Sequence, residues 1–310
     1  MRFMMMIKSD EQSETGAMPD EKLIEAMTKY NDDLLKAGAL LAGEGLHPTS
    51  KGARIKFSRG KPVVTDGPFA EAKEVVAGYW LIQAKSKEEA IEWAKRIPFE
   101  AAETSAPSDG VGEVEVRQVF ELEEFPVSEE ESGWREQEAQ WRAISEGGQP
   151  LNSPPPASGP DGHATKRFII FRKADKDTEA GVFPAGERLE ALFTAMGQYN
   201  EEMMKAGVLL AGEGLHPTSD GARVTYSRGK RTVIDGPFTE SKELIAGFTL
   251  IQARSKEEAL EWVKRWPALD GDGEVELELR QVFGAEDFDP ESASQLREEV
   301  ERMQVQIAGK

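Results

Sequence analysis

Several residue types and motifs are missing or scarce in this chain. It has no cysteine among 310 residues, which excludes disulfides, thiolate metal sites and cysteine nucleophiles. Only three residues are histidine. The chain also lacks the Walker loop, the Rossmann glycine fingerprint, the serine nucleophile elbow and the ligand spacing of zinc sites. We therefore expect no cofactor and no metal ion.

Positive charge and long apolar runs are scarce as well. The net charge of −19 argues against a nucleic-acid backbone or an anionic membrane surface as partner. No apolar run approaches the roughly 20 residues of a membrane span. The apolar start of the chain is shorter than the core of a signal peptide. The expected location is the cytoplasm.

What the chain does have is an internal repeat. Residues 30–98 align without a gap with residues 199–267, and 47 of these 69 positions are identical. Both copies contain the loop sequence GEGLHPTS (43–50 and 212–219) and the tetrapeptide DGPF (66–69 and 235–238). The repeat predicts one fold built twice, with two copies of any site.

Each copy predicts the same order of elements. In the first copy, a short apolar run opens the chain, and apolar residues then recur at helical spacing from Leu23 to Leu34. Two β-rich runs flank residues 58–61 and predict a hairpin. A strand at 78–84 follows, then a helix capped by Ser86, and then a last strand at 113–122.

The order β-α-β-β-β-α-β, with a small hairpin in the middle, is typical of the ferredoxin-like plan, in which four antiparallel strands carry two helices on one face. The opposite face of the sheet must also be buried, and the sheet of the second copy can pack against it. We therefore expect an α+β fold of two tandem ferredoxin-like domains that form an internal dimeric α+β barrel, a pseudo-dimer. Whether the chain is a monomer or a homodimer stays open. The predicted divisions are copy one (1–126), a helix plus a Pro/Gly/Ser-rich linker (127–164), copy two (165–289) and a C-terminal helix (290–310).

A longer string of residues carries a family resemblance. The DGPF tetrapeptide is followed in the first copy by Glu71, Lys73-Glu74, Gly78-Tyr79, Glu92-Trp93 and the run 113–117, and the second copy repeats this string from 235 to 280. The string resembles the DGPF group of the YCII-related proteins, over nearly all of both copies but not over the linker or the tail. The resemblance implies a ferredoxin-like dimeric α+β barrel with a pocket between helix and sheet near the dimer cleft.

The same resemblance bears on function. Most of that family has no assigned activity. A member outside the DGPF group resembles a dehydrochlorinase that uses a His–Asp pair, and DGPF members are often encoded near sigma factors of the extracytoplasmic-function type, which hints at stress regulation. Better-studied members carry their histidine inside the first helix. Here that helix holds Tyr30 and Tyr199, and the histidines lie in the following loop.

Two histidines and two aspartates are the candidate catalytic residues. His47 and His216 lie in the repeated loop, and their pKa in the usual range near neutrality suits a general base. Asp66 and Asp235 begin the DGPF tetrapeptides and are candidates to orient the histidines. The alternatives are a loop histidine bonded to a backbone carbonyl and an aspartate that closes an Asx turn.

The candidate ligand-binding residues recur in both copies. Arg54 and Arg223 begin the predicted hairpins, where an arginine can fork onto a carboxylate or phosphate of a ligand; the alternative is a cross-strand partner for a glutamate. Arg117 and Arg280 are instead expected to be solvated among glutamates on the wet face of the last strand. The candidates are Tyr30, Glu44, Arg54, Tyr199, Glu213 and Arg223.

We expect a small-molecule binding protein with a pocket in each half. If it is an enzyme, the histidine and aspartate pairs suit a lyase-type or isomerase-type proton abstraction. The alternative is a regulatory or scaffolding protein, linked to stress or to a sigma factor, that acts through protein contacts.

Overall fold

The computed structural model describes residues 1–17, 20–70, 75–101, 111–125, 164–227, 229–238 and 243–288. Each half contributes six strands and three helices to this part of the chain, in the same order. The strands are β1 (Arg2–Lys8), β2 (Leu40–Gly45), β3 (Ala53–Ser58), β4 (Lys61–Asp66), β5 (Val76–Gln83), β6 (Val111–Gln118), β7 (Lys166–Lys173), β8 (Leu209–Gly214), β9 (Ala222–Ser227), β10 (Lys230–Asp235), β11 (Ile245–Ala253) and β12 (Glu276–Gln281). The helices are α1 (Glu11–Glu14), α2 (Glu21–Lys36), α3 (Lys87–Ala94), α4 (Lys176–Glu179), α5 (Glu187–Lys205) and α6 (Lys256–Val263).

Local signals set the helix ends. The side chain of Asp20 accepts from the backbone of Leu23 and so caps α2. Ser86 caps α3 in the same way, through the backbone of Glu89. Beyond the end of α2, Gly38 takes a φ of 70°, a left-handed conformation that glycine adopts without steric cost. The predicted start of α3 at Ser86 is confirmed.

The strands form two six-stranded sheets. The first has the order β10-β9-β6-β1-β5-β2 and the second β4-β3-β12-β7-β11-β8. Within each sheet, four antiparallel strands of one half follow the ferredoxin-like order, which is β6-β1-β5-β2 in the first half. The predicted fold class is confirmed. One strand per copy was missed, β2 and β8, because the last residues of each fall in the loops assigned at 43–50 and 212–219.

The two halves exchange their hairpins, which the sequence did not predict. The β3–β4 hairpin of the first half pairs with β12 of the second half, where Arg54 lies opposite Glu278. The β9–β10 hairpin of the second half pairs with β6 of the first, where Arg223 lies opposite Glu115. Each six-stranded sheet therefore contains strands from both halves.

Outside the exposed hairpin strands β4 and β10, both faces of each sheet are largely buried. One face packs against its helices through residues such as Phe3 and Leu34. The other faces meet in a single apolar core between the sheets, which includes Met4, Leu81 and Phe171. Isolated bridges after the strands, such as the one from Leu46 to Val282, link the two sheets of the barrel. The two halves thus form the expected pseudo-dimer.

Other expectations fall outside the described residues. The predicted helices at 128–146 and 292–310 and the linker before residue 164 lie there, so the proposed domain boundaries stay predictions. Within the described ranges, no helix is both long enough and apolar enough to span a bilayer.

Candidate functional site

Exchange of the hairpins builds two clusters of buried charge, each from both halves of the chain. We call the first the Arg54 site, formed by Arg54, Lys173, Glu243, Glu278 and Arg280. We call the second the Arg223 site, formed by Lys8, Glu115, Arg117 and Arg223. The two sites hold matching residues, since Lys8, Glu115, Arg117 and Arg223 correspond in the repeat to Lys173, Glu278, Arg280 and Arg54.

The Arg54 site is organised around two carboxylates. Lys173 Nζ lies 2.7 Å from Glu243 Oε2 and 2.8 Å from Glu278 Oε2. Arg54 Nη2 donates to Glu243 Oε2 at 2.7 Å, and Arg54 Nε lies 3.4 Å from Glu278 Oε2. Arg280 Nη1 donates to the other oxygen of Glu278 at 3.2 Å. Three cations therefore converge on Glu278.

The Arg223 site repeats this arrangement. Glu115 Oε2 lies 3.3 Å from Lys8 Nζ and 3.2 Å from Arg223 Nη2, and Glu115 Oε1 accepts from Arg117 Nη1 at 2.9 Å. Glu115 and Arg117 are each only 1% exposed. The counterpart of Glu243 in this half is Glu74, which lies outside the described residues.

The expectation that Arg117 and Arg280 are solvated was wrong. Arg280 is 0% exposed and Glu278 1% exposed, because the second face of the last strand points into the barrel and not into solvent. The signal was present in the sequence as the repeated alternation of glutamate and arginine in 113–117 and 276–280. The pattern was misread because alternating charged residues occur both on a solvent-exposed strand face and on a face buried among ion pairs.

The surrounding charges keep both central glutamates ionised. Burial alone raises the pKa of Glu278, but Lys173, Arg280 and Arg54 outweigh it and lower that pKa to about 2. In the other site, burial of Glu115 is outweighed by Lys8, Arg117 and Arg223, and its pKa is also lowered to about 2. Burial lowers the pKa of Lys173, but Glu278 and Glu243 raise it above its usual value. The clusters are therefore charged at neutral pH.

The arginines of the hairpins also contact the DGPF turns. Arg54 lies 4.3 Å from the centre of the Phe69 ring, and Arg223 lies 4.3 Å from that of Phe238. These are cation–π distances. The Arg54 side chain is 17% exposed, more than its partners Glu278 and Lys173, so it forms the outer side of its cluster.

Asp66 and Asp235 do not orient the histidines as predicted. Asp66 Oδ1 accepts from Lys256 Nζ at 2.7 Å, and Asp235 Oδ1 accepts from Lys87 Nζ at 3.0 Å. Both aspartate side chains are more than 70% exposed. Each aspartate thus binds an exchanged hairpin to the last helix of the other half, α6 for Asp66 and α3 for Asp235.

His47 is oriented by a residue that the sequence reading missed. Its Nε2 lies 2.9 Å from Asp287 Oδ2, and its Nδ1 lies 3.2 Å from Lys51 Nζ. Since the carboxylate accepts and the ammonium donates, the proton of the neutral ring belongs on Nε2. The ring packs at 4.0 Å on Phe283. Burial lowers the pKa of His47, Lys51 lowers it further, and Asp287 opposes both.

His216 has different partners. Its Nε2 lies 3.2 Å from Glu124 Oε2 and its Nδ1 lies 3.2 Å from Asp220 Oδ2. Both hydrogen bonds form only when both ring nitrogens carry a proton. The ring stacks on Phe120 with a centroid distance of 4.0 Å. The change from Lys51 to Asp220 thus makes the two histidine loops chemically unequal.

The histidine loops and the charge clusters are linked through the backbone. Arg280 Nη2 donates to the carbonyl oxygen of His47 at 2.7 Å. Arg117 Nε donates to the carbonyl oxygen of His216 at 3.1 Å. Each histidine is therefore held next to a cluster by an arginine from the other half.

Two other pairs of candidate residues lie elsewhere. The hydroxyls of Tyr30 and Tyr199 each donate at 3.0 Å to a backbone carbonyl, that of Trp93 and that of Trp262, inside the core between helix and sheet. They contact neither histidine loop through these bonds. Their assignment as ligand-binding residues therefore has no support in this geometry.

Glu44 and Glu213 are paired with arginines across the two halves. Glu44 binds Arg167, and Glu213 binds Arg2. Burial raises the pKa of Glu44, and Arg167 opposes this shift. Each predicted pocket carboxylate is thus engaged in a partly buried ion pair. Within the described ranges, no three side chains of the metal-binding types come together.

The sequence was compared with known proteins. The sequence model of the YCII-related domain matches residues 1–123 and 167–281. This chain belongs to the YCII-related domain family. An uncharacterized protein of Rhizobium meliloti (strain 1021) is 32% identical to this YCII-related chain over 107 residues, which are 34% of this chain and 82% of that protein.

A solved structure is also similar. It is a mutant chlorite dismutase from Candidatus Nitrospira defluvii, 10% identical, with 98% of this chain and 94% of that chain covered and a TM-score of 0.38. A likeness this weak says nothing about the function of the YCII-related chain.

Proposed function

We propose that this protein binds a small molecule at the Arg54 site and at the Arg223 site, and that the adjacent histidines supply acid–base chemistry. The observation that carries the proposal is the buried cluster of two arginines, a lysine and a glutamate, which occurs twice with the same residue types. Buried ion clusters add little stability compared with well-packed apolar residues. Retention of such a cluster in each half is better explained by ligand binding.

The acid–base part rests on the environment of His47. Asp287 holds Nε2, and the lone pair of Nδ1 accepts from the exposed Lys51, so Nδ1 becomes the basic nitrogen once a ligand draws the Lys51 ammonium away. Asp287 takes the role of orienter that we had predicted for Asp66. This arrangement suits a lyase-type or isomerase-type reaction that begins by abstraction of a proton from the ligand.

Binding is tested by a thermal-shift screen of small metabolites, followed by calorimetry of the compounds that raise Tm. We expect two binding events per chain. Arg54→Met and Arg223→Met should each remove one of them. Arg59→Met, in the exposed turn of the same hairpin, is the matched control and should leave both. No shift across a broad set, or binding that survives both arginine substitutions, contradicts the proposal.

Proton abstraction is tested separately by NMR in D2O. A bound ligand should exchange a C–H proton for deuterium, and His47→Gln should slow this exchange while binding remains. Binding of a ligand without exchange of its C–H proton would support the binding function and contradict the proposed acid–base catalysis.

A second candidate function is action through protein contacts, and one observation favours it. The centre of the barrel is filled by packed apolar side chains, among them Met4, Met6, Ile169 and Phe171. A scaffold has no need of a central cavity. If no small molecule binds while Arg54→Met leaves folding intact, this candidate becomes the better one.

A further inference from the structure

We propose that the carboxylate of Glu243 occupies the position at which the carboxylate of a small organic acid binds in the Arg54 site, and that the ligand displaces it. This inference rests on the proposed function, since it names the class of ligand for one of its two sites. It is confined to the Arg54 site because Glu74, the counterpart of Glu243, lies outside the described residues.

The two carboxylates of the Arg54 site are held very differently. Glu278 lies within β12 and is flanked by strands on both sides, opposite Arg54 in β3 and Phe171 in β7. Glu243 lies outside the strand, two residues before β11 begins and next to Leu244, whose carbonyl oxygen accepts from Ala174 N at 2.7 Å. Its position in the cluster therefore depends on its side-chain contacts more than that of Glu278 does.

Those contacts have the geometry of a bound anion. A single oxygen, Oε2 of Glu243, accepts from Arg54 Nη2 and lies within reach of Lys173 Nζ, both at 2.7 Å. These are charge-assisted hydrogen bonds of the length found when a carboxylate is recognised by a protein. A free carboxylate placed on Arg54 and Lys173 would make the same two contacts.

The charge balance calls for an anion at this position. With Glu243 removed, three cations, Lys173, Arg54 and Arg280, face Glu278 and, 3.9 Å from Arg280, Glu14, so the buried side of the cluster keeps excess positive charge. An uncompensated buried charge is strongly unfavourable. Any ligand that displaces Glu243 must therefore bring a negative charge of its own, and a carboxylate matches the group that it replaces.

The test is chemical rescue of Glu243→Ala by formate and acetate. The variant should melt at a lower temperature than the wild-type chain in chloride, and formate or acetate at equal ionic strength should restore part of the loss. Glu276→Ala, which removes a half-buried glutamate of β12, is the control and should show no carboxylate-specific effect. Rescue that is equal for chloride, sulfate and formate overturns the proposal.

Glu243→Gln is a second variant, used in case Glu243→Ala does not fold, because glutamine keeps the shape of the side chain. If the Glu243 carboxylate competes with the ligand, this substitution should tighten binding of acetate or benzoate by about tenfold in calorimetry. The reason is that the ligand no longer has to displace a charged side chain from Arg54 and Lys173 before it binds. Unchanged or weaker carboxylate binding in Glu243→Gln contradicts displacement. If the wild-type chain binds a ligand without a carboxylate through Arg54, the proposed function stands and only this inference is wrong.

Discussion

The guanidinium of Arg280 donates a hydrogen bond of 2.7 Å to the carbonyl oxygen of His47, although the two residues come from different halves of the chain. Arg280 is at the same time bonded to Glu278 in the centre of the Arg54 site. One buried side chain therefore fixes both the histidine loop of one half and the charge cluster on the last strand of the other. Loss of the cluster should disturb the loop as well.

Removal of the central carboxylate should be costly. Glu278→Gln removes the carboxylate that Lys173, Arg54 and Arg280 share, and breaking a buried ion pair from one side costs roughly 3–5 kcal/mol. Urea unfolding measures this loss. Glu276→Gln, two residues earlier in β12, should change stability by less than about 0.5 kcal/mol. Equal effects of the two substitutions would show that burial of Glu278 has no energetic consequence.

Stability should fall in acid because of the same carboxylates. The pKa of Glu115 and that of Glu278 are lowered from 4.5 to about 2 in the folded chain, so the folded state binds fewer protons than the unfolded state between these pH values. Their contribution is complete above about pH 4.5 and is lost as the pH falls toward about 2. The free energy of unfolding, measured by urea at a series of pH values, should decrease across this window. Glu278→Gln should show a shallower decrease, and an unchanged slope would contradict the assignment.

Much of the architecture could be predicted from the sequence, and the reasons are physical. The helical spacing from Leu23 to Leu34 predicts a helix with one buried face, and the alternation in 113–122 predicts a strand with one buried face. The repeat predicts that a second copy of the fold covers the sheet face that has no helices. The exchange of hairpins could not be predicted. The two hairpins share residues at matching positions, so the pairing preferences of β3 for β6 and for β12 are nearly the same on sequence alone. Only the closed barrel decides between them.

The candidate site was predicted less well than the fold. Both histidine loops were identified, because glycine and proline around a scarce histidine are visible in the sequence. Their partners Asp287 and Glu124 were missed, since each lies in the other half and is brought close only by closure of the barrel. Asp66 was assigned in their place because it is repeated, but it is exposed and bound to Lys256.

The pKa of His47 should depend on the residue at position 51. Replacing Lys51 by Asp, the residue at the matching position 220, exchanges an ammonium 3.2 Å from His47 Nδ1 for a carboxylate. Since Lys51 lowers the pKa of His47, the substitution should raise it. Two-dimensional NMR of the histidine rings measures the titration, and His163→Gln assigns the third signal. Lys51→Met, which removes the charge without adding one, should produce a smaller shift. A His47 pKa that stays at its wild-type value in both variants would mean that position 51 does not act on the ring.

The DGPF turn offers a contrast between two neighbouring residues. Asp66 is 72% exposed, so Asp66→Asn should change the free energy of unfolding by less than about 1 kcal/mol. A Cβ at Gly67 would lie 1.9 Å from the carbonyl oxygen of Thr49. Gly67→Ala should therefore cost about 1–3 kcal/mol by crowding the backbone. Urea unfolding of both variants tests this, and a larger effect of Asp66→Asn than of Gly67→Ala would contradict it.

The last prediction concerns a tryptophan that changes position between the halves. In the first half, Trp80 of β5 packs edge-on against Tyr30 with a centroid distance of 5.3 Å. In the second half the matching strand residue is Thr249, and Trp266, which follows α6, packs edge-on against Tyr199 at 5.7 Å. The residue that matches Trp266 in the first half is the buried Ile97. Each tyrosine therefore keeps one tryptophan neighbour, supplied by a different element.

This compensation predicts strong coupling between residues 80 and 97. Trp80→Thr should cost roughly 3 kcal/mol by leaving a cavity beside Tyr30. Ile97→Trp alone should cost roughly 1–3 kcal/mol, because it overfills a packed core. The double variant reproduces the arrangement of the second half, so it should be more stable than the sum of the single effects by about 1 kcal/mol or more. A double-mutant cycle from urea unfolding measures this coupling. Additive effects would mean that the space beside Tyr30 is not shared by the two positions.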